Sequence, residues 1–344
     1  MTTSGPLGLA GPAPVDEGAG ESLPPGGGGL GRSPLMRWAS PLVAIGLLFW
    51  TARRIDLALA LQRLGGAEPG WLVLAFAASA PPVLLSAWRW RYTAGRLGLS
   101  IAWGWAWREY YVAILLNQVL PGGVLGDVVR ALRHRHSLGA AFEAHRATAA
   151  KAVVFERASN QFVVWSWAIA LAPFWVGGGA KAWAGWPVLA LALLALAGAF
   201  ALARGRFGAA GSWAERVGRA ALRDLWQVFG RRASGLVHVT VSLIIFAQFG
   251  AVFWCASAAV GAPLAPGLAL RIVPLVLVAS SVPLTPSGWG VREAMAAALY
   301  GAAGLEPAAG AAASVLYGLV SLAATLPGAL FLAVPHRQSP GAAP

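Results

Sequence analysis

The sequence predicts an all-α polytopic membrane protein, with about six full transmembrane helices plus two re-entrant broken helices arranged as an inverted repeat. Three observations lead to this fold class. Hydrophobic residues make up 58% of the 344 residues and charged residues only 11%, against roughly 45–50% and 25% in soluble domains. Several apolar runs are long enough to cross a bilayer. Two shorter runs are interrupted by prolines, glycines and charges, which is typical of a helix broken at membrane depth.

The apolar runs that can span lie at residues 36–52, 70–90, 152–176, 183–203, 236–260 and 308–334. A helix rises about 1.5 Å per residue, so roughly 20 apolar residues cross the hydrocarbon core. These spans fall in a predicted flippase-like transmembrane domain over residues 34–335. Residues 1–33 predict a disordered tail rich in glycine and proline, and residues 336–344 predict a short tail. We expect no cleaved signal peptide, because the first apolar run starts only near Trp38.

Arginine placement predicts which side of the membrane each loop faces. Residues 204–232 carry seven arginines, and residues 130–151 are also strongly basic. Because loops rich in arginine and lysine stay on the inner side, we expect both segments in the cytoplasm, together with both chain termini.

Both broken runs are expected to enter and leave the membrane on one side. Arg89, Arg91 and Arg96 precede the first run, and a basic segment follows it, so this run enters from the cytoplasm and returns. By the same count of basic residues, the run at 268–300 is expected to enter the membrane from the outside and return there. In this arrangement three arginines fall on the outer side, against the general bias: Arg53, Arg54 and Arg63.

The two interruptions are the candidate binding site. Lipid offers no hydrogen-bond partner to free backbone groups, so they need a partner or a watery cavity. The N-terminus of a half-helix has free N–H groups and a partial positive charge, and glycine lets a phosphate approach the backbone closely. Arginines beside it can bind the same phosphate bidentately. The first interruption contains Asn117, Pro121, Gly122, Gly123, Gly126, Asp127 and Arg130, and the second contains Pro286, Gly288, Gly290, Arg292 and Glu293.

Simpler roles exist for the same residues. Asp127 and Arg130 are spaced i, i+3 and can pair with each other. Glu293, like Asp127, lies in the first turn of a half-helix, where a carboxylate is a favourable cap. A buried charge in an apolar context is costly, however, and this cost favours a functional role.

A third charged pair, Glu156 and Arg157, lies near the cytoplasmic end of a predicted span. Adjacent residues on a helix cannot face one direction. At least one of the two is therefore expected to point into the bundle and find a partner such as Arg130, Asp127 or Glu293, unless Arg157 extends to the headgroups.

Several other classes of site are not expected. The net charge of +13 is explained by cytoplasmic loops beside anionic lipid, so we expect no nucleic-acid partner. Cys255 is the single cysteine, which excludes a disulfide. His134 and His136 do not share a helix face and predict solvated basic surface, so we expect no metal site. The chain has no Gly-Lys-Ser/Thr phosphate loop, and we expect no cofactor and no catalytic group for ATP-driven pumping.

The order of the three motifs resembles the lysylphosphatidylglycerol synthase transmembrane region family, over about residues 36–335. This resemblance implies a polytopic lipid-translocation domain of the bacterial cytoplasmic membrane. In related two-domain synthases the resemblance implies that the module moves aminoacylated phosphatidylglycerol outward, and relatives without the synthase are linked to other lipids or to polyprenyl-linked sugars. This sequence departs from the family pattern at Leu125, where a glycine is frequent, and at Tyr317, where a basic residue is expected.

Together these features predict a flippase or scramblase-like transporter of a phosphate-bearing lipid, aminoacylated or glycosylated. One alternative is an intramembrane lipid transferase with Asp127 or Glu293 as general base. Another is a non-transporting membrane partner of a separately encoded lipid-modifying enzyme. We expect no aminoacyltransferase domain, since fewer than ten residues follow Pro335.

Overall fold

The computed structural model describes residues 56–120, 123–134, 142–176, 213–281 and 285–333. Besides α-helices, these ranges contain a π-helical turn, Trp226–Gly230, and a 3-10 turn, Pro286–Gly288. The helices in chain order are α1 (Leu57–Gly65), α2 (Pro69–Arg96), α3 (Trp103–Val119), α4 (Leu125–Arg133), α5 (Phe142–Val176), α6 (Trp213–Leu225), α7 (Arg232–Ala259), α8 (Pro266–Ser281), α9 (Val291–Ala302), α10 (Pro307–Thr325) and α11 (Pro327–Ala333).

These ranges contain helices and turns and no strand, so the predicted all-α class is confirmed for them. Within the described part of the chain, three helices are long and apolar enough to cross a membrane: α2, α7, and α10 continued by α11. They correspond to the predicted spans at 70–90, 236–260 and 308–334. The predicted span at 152–176 lies within α5, and the spans at 36–52 and 183–203 lie outside the described residues. The number of six therefore stays a prediction.

Small residues let the helices pack closely. The α2–α7 and α9–α10 pairs make extensive contacts. Gly310 on α10 has the carbonyl oxygen of Ala296 and the ring of Tyr300 where a side chain would stand. Such contacts are the usual basis of helix association in a membrane, where lipid removes most of the hydrophobic driving force.

Both predicted interruptions separate two helices that fold back on each other. After the first, α4 packs against α3, and a Cβ on Gly126 would overlap the carbonyl oxygen of Ala113. After the second, α9 packs against α8, and a Cβ on Gly288 would lie 2.5 Å from the Cα of Ser280. Gly288 also has φ +76°, a conformation that glycine adopts readily. Glycine is therefore needed here for close packing of the backbone.

The two folded-back pairs open toward opposite ends of the bundle. At one end, the guanidinium of Arg63 bonds to Glu306 and to the carbonyl oxygen of Val260, joining the ends of α1, α7 and α10. At the other end, Arg96 donates to the carbonyl oxygen of Gln227, and the ring of Trp107 contacts that of Phe331. The outer ends of α3 and α4 lie at this second end, which contains Arg96 and is called here the arginine end. The outer ends of α8 and α9 lie at the first end, which contains Arg63.

His134 corrects one expectation from the sequence. It was expected on a solvated surface, but it is fully buried beyond the end of α4, with its ring beside those of Trp90 and Trp105. Burial, together with the charge of Arg130, lowers the pKa of His134 to about 4, so the imidazole is neutral at pH 7. The described residues contain no group of side chains suited to a metal ion.

Candidate functional site

A cavity of about 370 Å³ lies between the two interruptions. Residues from α2, α3, α4, α5, α7, α8, α9 and α10 form its wall, and the interruptions contribute Gly123 and Ser287. A Cβ on Gly123 would lie 3.8 Å from the carbonyl oxygen of Thr285 and 3.9 Å from the backbone nitrogen of Ser287. The two breaks, more than 160 residues apart in the chain, are thus neighbours in space.

The first charged cluster centres on Glu156, which is fully buried on α5. Its carboxylate accepts hydrogen bonds from Arg89 (2.6 Å), Arg130 (3.1 Å) and the Tyr110 hydroxyl (3.1 Å). Arg130 also donates to Asp127, 2.9 Å away and three residues earlier on α4. One carboxylate therefore joins α2, α4 and α5. A buried charge of this kind is tolerated because it is both paired and hydrogen-bonded.

Arg130 is held between two aromatic rings. Its guanidinium carbon lies 4.6 Å from the centre of the Trp90 ring and 4.4 Å from that of Tyr110. Arginine stacks well on aromatic faces, and this attraction is strongest where water is excluded. The side chain is 1% exposed and does not line the cavity. Arg130 therefore lies behind the residues that line the cavity and bonds to one of them, Asp127.

Asp127 connects this cluster to the cavity. Its second oxygen lies 3.0 Å from the Asn117 amide nitrogen and 2.9 Å from Nε of Arg157. The side-chain amide oxygen of Asn117 in turn accepts from the backbone N–H of Gly126 at 2.8 Å. Asn117 therefore ties the first turn of α4 to α3, while Arg157 lines the cavity.

Glu156 and Arg157 point in different directions, as expected for adjacent helical residues. The Glu156 side chain is fully buried, whereas 38% of the Arg157 side chain is exposed. The expectation that at least one of them enters the bundle is confirmed.

The second charged cluster lies at the start of α9. Arg292 donates to Oε1 of Glu293 at 2.8 Å and to the Ser314 hydroxyl at 3.0 Å. The other carboxylate oxygen of Glu293 accepts from the backbone N–H of Gly290 at 2.6 Å, so Glu293 also caps the helix. Both members of the ion pair are 1% exposed.

Arg292 repeats the arrangement of Arg130. Its guanidinium carbon is 4.9 Å from the centre of the Trp289 ring and 5.1 Å from that of Tyr317. Gly318 provides the space, because a Cβ there would overlap the guanidinium. Each interruption is thus followed by an arginine that lies between a tryptophan and a tyrosine.

Only some of the predicted site residues line the cavity. Asn117, Gly123, Asp127, Arg157 and Arg292 line the cavity. The backbone N–H groups of Gly288 and Gly290 donate within the chain, to Thr285 and to Glu293. Pro121 and Gly122 lie outside the described residues. The predicted residues that do not line the cavity are Gly126, Arg130, Glu156, Pro286, Gly288, Gly290 and Glu293.

Sequence reasoning missed Arg89 and the aromatic residues. Arg89 served only as a marker of the cytoplasmic side, yet it is 1% exposed, bonds Glu156 and Ser242, and lines the cavity. An arginine inside a predicted span was a usable signal, because such charges are costly and usually functional. Tyr110 gave no signal, and Tyr317 stood out only as a departure from the family pattern. Neither contact with an arginine was predicted, because the partners are far apart in sequence.

Residues 37–328 match the protein family described as Lysylphosphatidylglycerol synthase TM region. No curated protein and no solved structure matches this sequence. The matched range contains both interruptions and both charged clusters.

Proposed function

This chain belongs to the lysylphosphatidylglycerol synthase transmembrane region family, and we propose that it is a flippase or scramblase-like transporter of a phosphate-bearing lipid. Membership makes it a membrane domain, and the apolar helices agree with a multi-pass protein. We place it in the bacterial cytoplasmic membrane, with the arginine end and both termini in the cytoplasm.

The charge balance around the cavity carries the proposal. Among the described residues, the two clusters contain four arginines, Arg89, Arg130, Arg157 and Arg292, against three carboxylates, Asp127, Glu156 and Glu293. One positive charge is left over. An uncompensated charge at membrane depth is costly, so an anion in the cavity would be favourable. A phosphodiester carries one negative charge.

Arg157 and Arg292 are the cations best placed to meet that phosphate. Both line the cavity, and Arg157 is the more exposed of the two. The cavity also has the size of a typical ligand site, since such sites measure roughly 300–1,000 Å³. A lipid headgroup can fit there while its acyl chains remain in the bilayer.

The two folded-back helix pairs suggest how the headgroup crosses. We infer that α3–α4 and α8–α9 are re-entrant elements that enter from opposite faces and meet at the cavity. Transporters built from inverted repeats bind substrate at such a junction and expose it alternately by rocking one repeat against the other. The contact between Gly123 and the turn at Thr285–Ser287 would then be the place where the repeats separate.

The ion pairs favour transport over an intramembrane transferase. A general base needs a carboxylate that is free to take a proton. Asp127, Glu156 and Glu293 each pair with at least one arginine in the described part of the chain. Membrane lipids are thus the proposed partners, and a separately encoded lipid-modifying enzyme would act before or after translocation.

Cysteine labelling tests the topology. In a Cys255→Ala background, Ser100→Cys lies in the exposed loop at the arginine end, and Leu305→Cys lies in the exposed loop at the opposite end. An impermeant maleimide added to intact cells is expected to label Leu305→Cys and to label Ser100→Cys only after the membrane is permeabilised. Labelling of both cysteines in intact cells would contradict the proposed orientation.

Reconstitution tests the function itself. Purified protein in liposomes with a fluorescent phospholipid in both leaflets is expected to raise the fraction that dithionite quenches from about half toward completeness, because scrambling brings inner-leaflet lipid outside. Liposomes prepared with heat-denatured protein are the control. A quenched fraction that stays at the control value, with each candidate lipid tried, would argue for the partner-subunit alternative.

A further inference from the structure

Four hydroxyl groups of the cavity wall donate their hydrogen within their own helix, so they present only hydrogen-bond acceptors to a ligand. Those of Ser79, Ser280, Ser281 and Thr325 each donate to the carbonyl oxygen three residues earlier in their own helix, at 2.5–2.7 Å. All four residues line the cavity. A hydroxyl has one hydrogen and two lone pairs, so a ligand meets lone pairs here.

Three further oxygens on cavity-lining residues accept no hydrogen bond in the described part of the chain. They are the hydroxyl oxygen of Thr285 and the amide oxygens of Gln118 and Asn160. Thr285 is 1% exposed. Buried polar atoms without a partner are uncommon, because each costs the lost hydrogen bond to water. A ligand that donates hydrogen bonds would satisfy the two amide oxygens, and the Thr285 hydroxyl, which has no partner in either role, can accept one as well.

The charge of the residues around the cavity indicates whether the ligand's hydrogen-bond donors are ammonium or hydroxyl groups. Ammonium groups and hydroxyl groups both donate, but an ammonium would add positive charge beside two clusters that together already have one positive charge in excess. Among the charged residues that line the cavity, Arg89, Arg157 and Arg292 outnumber the single carboxylate, Asp127. Like charges repel strongly in a poorly solvated site. Hydroxyl donors supply hydrogen bonds without this repulsion.

We propose that the cavity binds a phosphodiester lipid with an uncharged, hydroxyl-rich headgroup, such as a polyol or a glycosyl group, and disfavours headgroups that carry an ammonium. This proposal rests on the proposed function and narrows its substrate. The phosphate balances the excess positive charge, and the hydroxyls donate to the lone pairs of the serine, threonine and amide oxygens. The family name mentions an aminoacylated lipid, and the charge of this cavity argues against that cargo for this chain.

Lipid competition on the purified full-length protein in nanodiscs tests this selectivity. The probes are phosphatidylinositol, phosphatidic acid and lysylphosphatidylglycerol with identical acyl chains, and bound lipid is measured by native mass spectrometry. We expect phosphatidylinositol to bind roughly tenfold or more tightly than either of the other two. Phosphatidic acid lacks the hydroxyl groups that donate several hydrogen bonds, and lysylphosphatidylglycerol carries an ammonium that the arginines repel. Equal binding of all three lipids, or preference for lysylphosphatidylglycerol or phosphatidic acid, would overturn the proposal.

The substitution Thr285→Val keeps the shape of the side chain and removes its hydroxyl group. We expect it to reduce the preference for phosphatidylinositol over phosphatidic acid several-fold. Thr93→Val is the control, because Thr93 is buried, donates to the carbonyl oxygen of Arg89 and does not line the cavity. An unchanged preference in Thr285→Val, with both variants eluting as the parent does, would contradict recognition through this wall.

Binding and transport are read separately. Selective binding of phosphatidylinositol without translocation in liposomes would refute the transporter and leave the headgroup preference standing. Translocation of all three lipids at one rate, with equal binding, would support the transporter and refute the headgroup preference.

Discussion

Replacing Glu156 with glutamine is expected to lower the free energy of unfolding by on the order of 3–5 kcal/mol, because it leaves buried arginines without their carboxylate. Glu156 is fully buried and serves both Arg89 and Arg130. Glutamine keeps the shape and some hydrogen bonding but removes the charge. Thermal unfolding of detergent-purified protein, followed by tryptophan fluorescence, measures the effect.

Glu306→Gln is the matched control for this prediction. Glu306 also pairs with an arginine, Arg63, but 37% of its side chain and 26% of that of Arg63 are exposed. Partly exposed ion pairs contribute only about 0–1 kcal/mol, so this variant is expected to unfold close to the parent. Equal unfolding temperatures for Glu156→Gln and Glu306→Gln would show that Glu156 is not the centre of a dry cluster.

Arg157→Gln is expected to lower lipid translocation by roughly ten- to a hundredfold, since a hydrogen bond to a charged group contributes about 1.5–3 kcal/mol. The change removes a cavity-lining cation and leaves three arginines balanced by three carboxylates in the two clusters. Asp127 keeps its bond to Arg130, so the fold is expected to survive. Initial rates of dithionite quenching in liposomes of matched protein content measure the effect.

Lys151→Gln controls for loss of positive charge on the same helix. Lys151 pairs with Asp224 and does not line the cavity. It precedes Arg157 by six residues, about 9 Å along the helix axis at 1.5 Å per residue. Its replacement is expected to leave the rate near that of the parent. If both variants translocate lipid equally well, Arg157 does not contact the cargo.

The two interruptions illustrate which features of the structure can be predicted from local sequence. Proline, glycine and charge in an apolar run predicted where α3 and α8 end, because those residues cannot continue a helix in lipid without compensation. The sequence also predicted that Asp127 and Arg130 can pair, since their spacing puts them on one helix face. It offered Arg130, Asp127 or Glu293 as partners for Glu156 and Arg157, of which the structure selects Arg130 for Glu156 and Asp127 for Arg157. It did not predict Ser314 as a partner of Arg292.

Composition and local pattern alone determined the membrane class, the family and the two helix breaks, because these depend on hydropathy and on the backbone limits of single residues. Tertiary packing decided which charged groups face the cavity. It buried Arg130 between two aromatic rings, left Arg157 on the wall and brought Gly123 beside Thr285. These contacts join residues far apart in sequence, and their energy depends on how completely neighbouring helices exclude water, which no local pattern encodes.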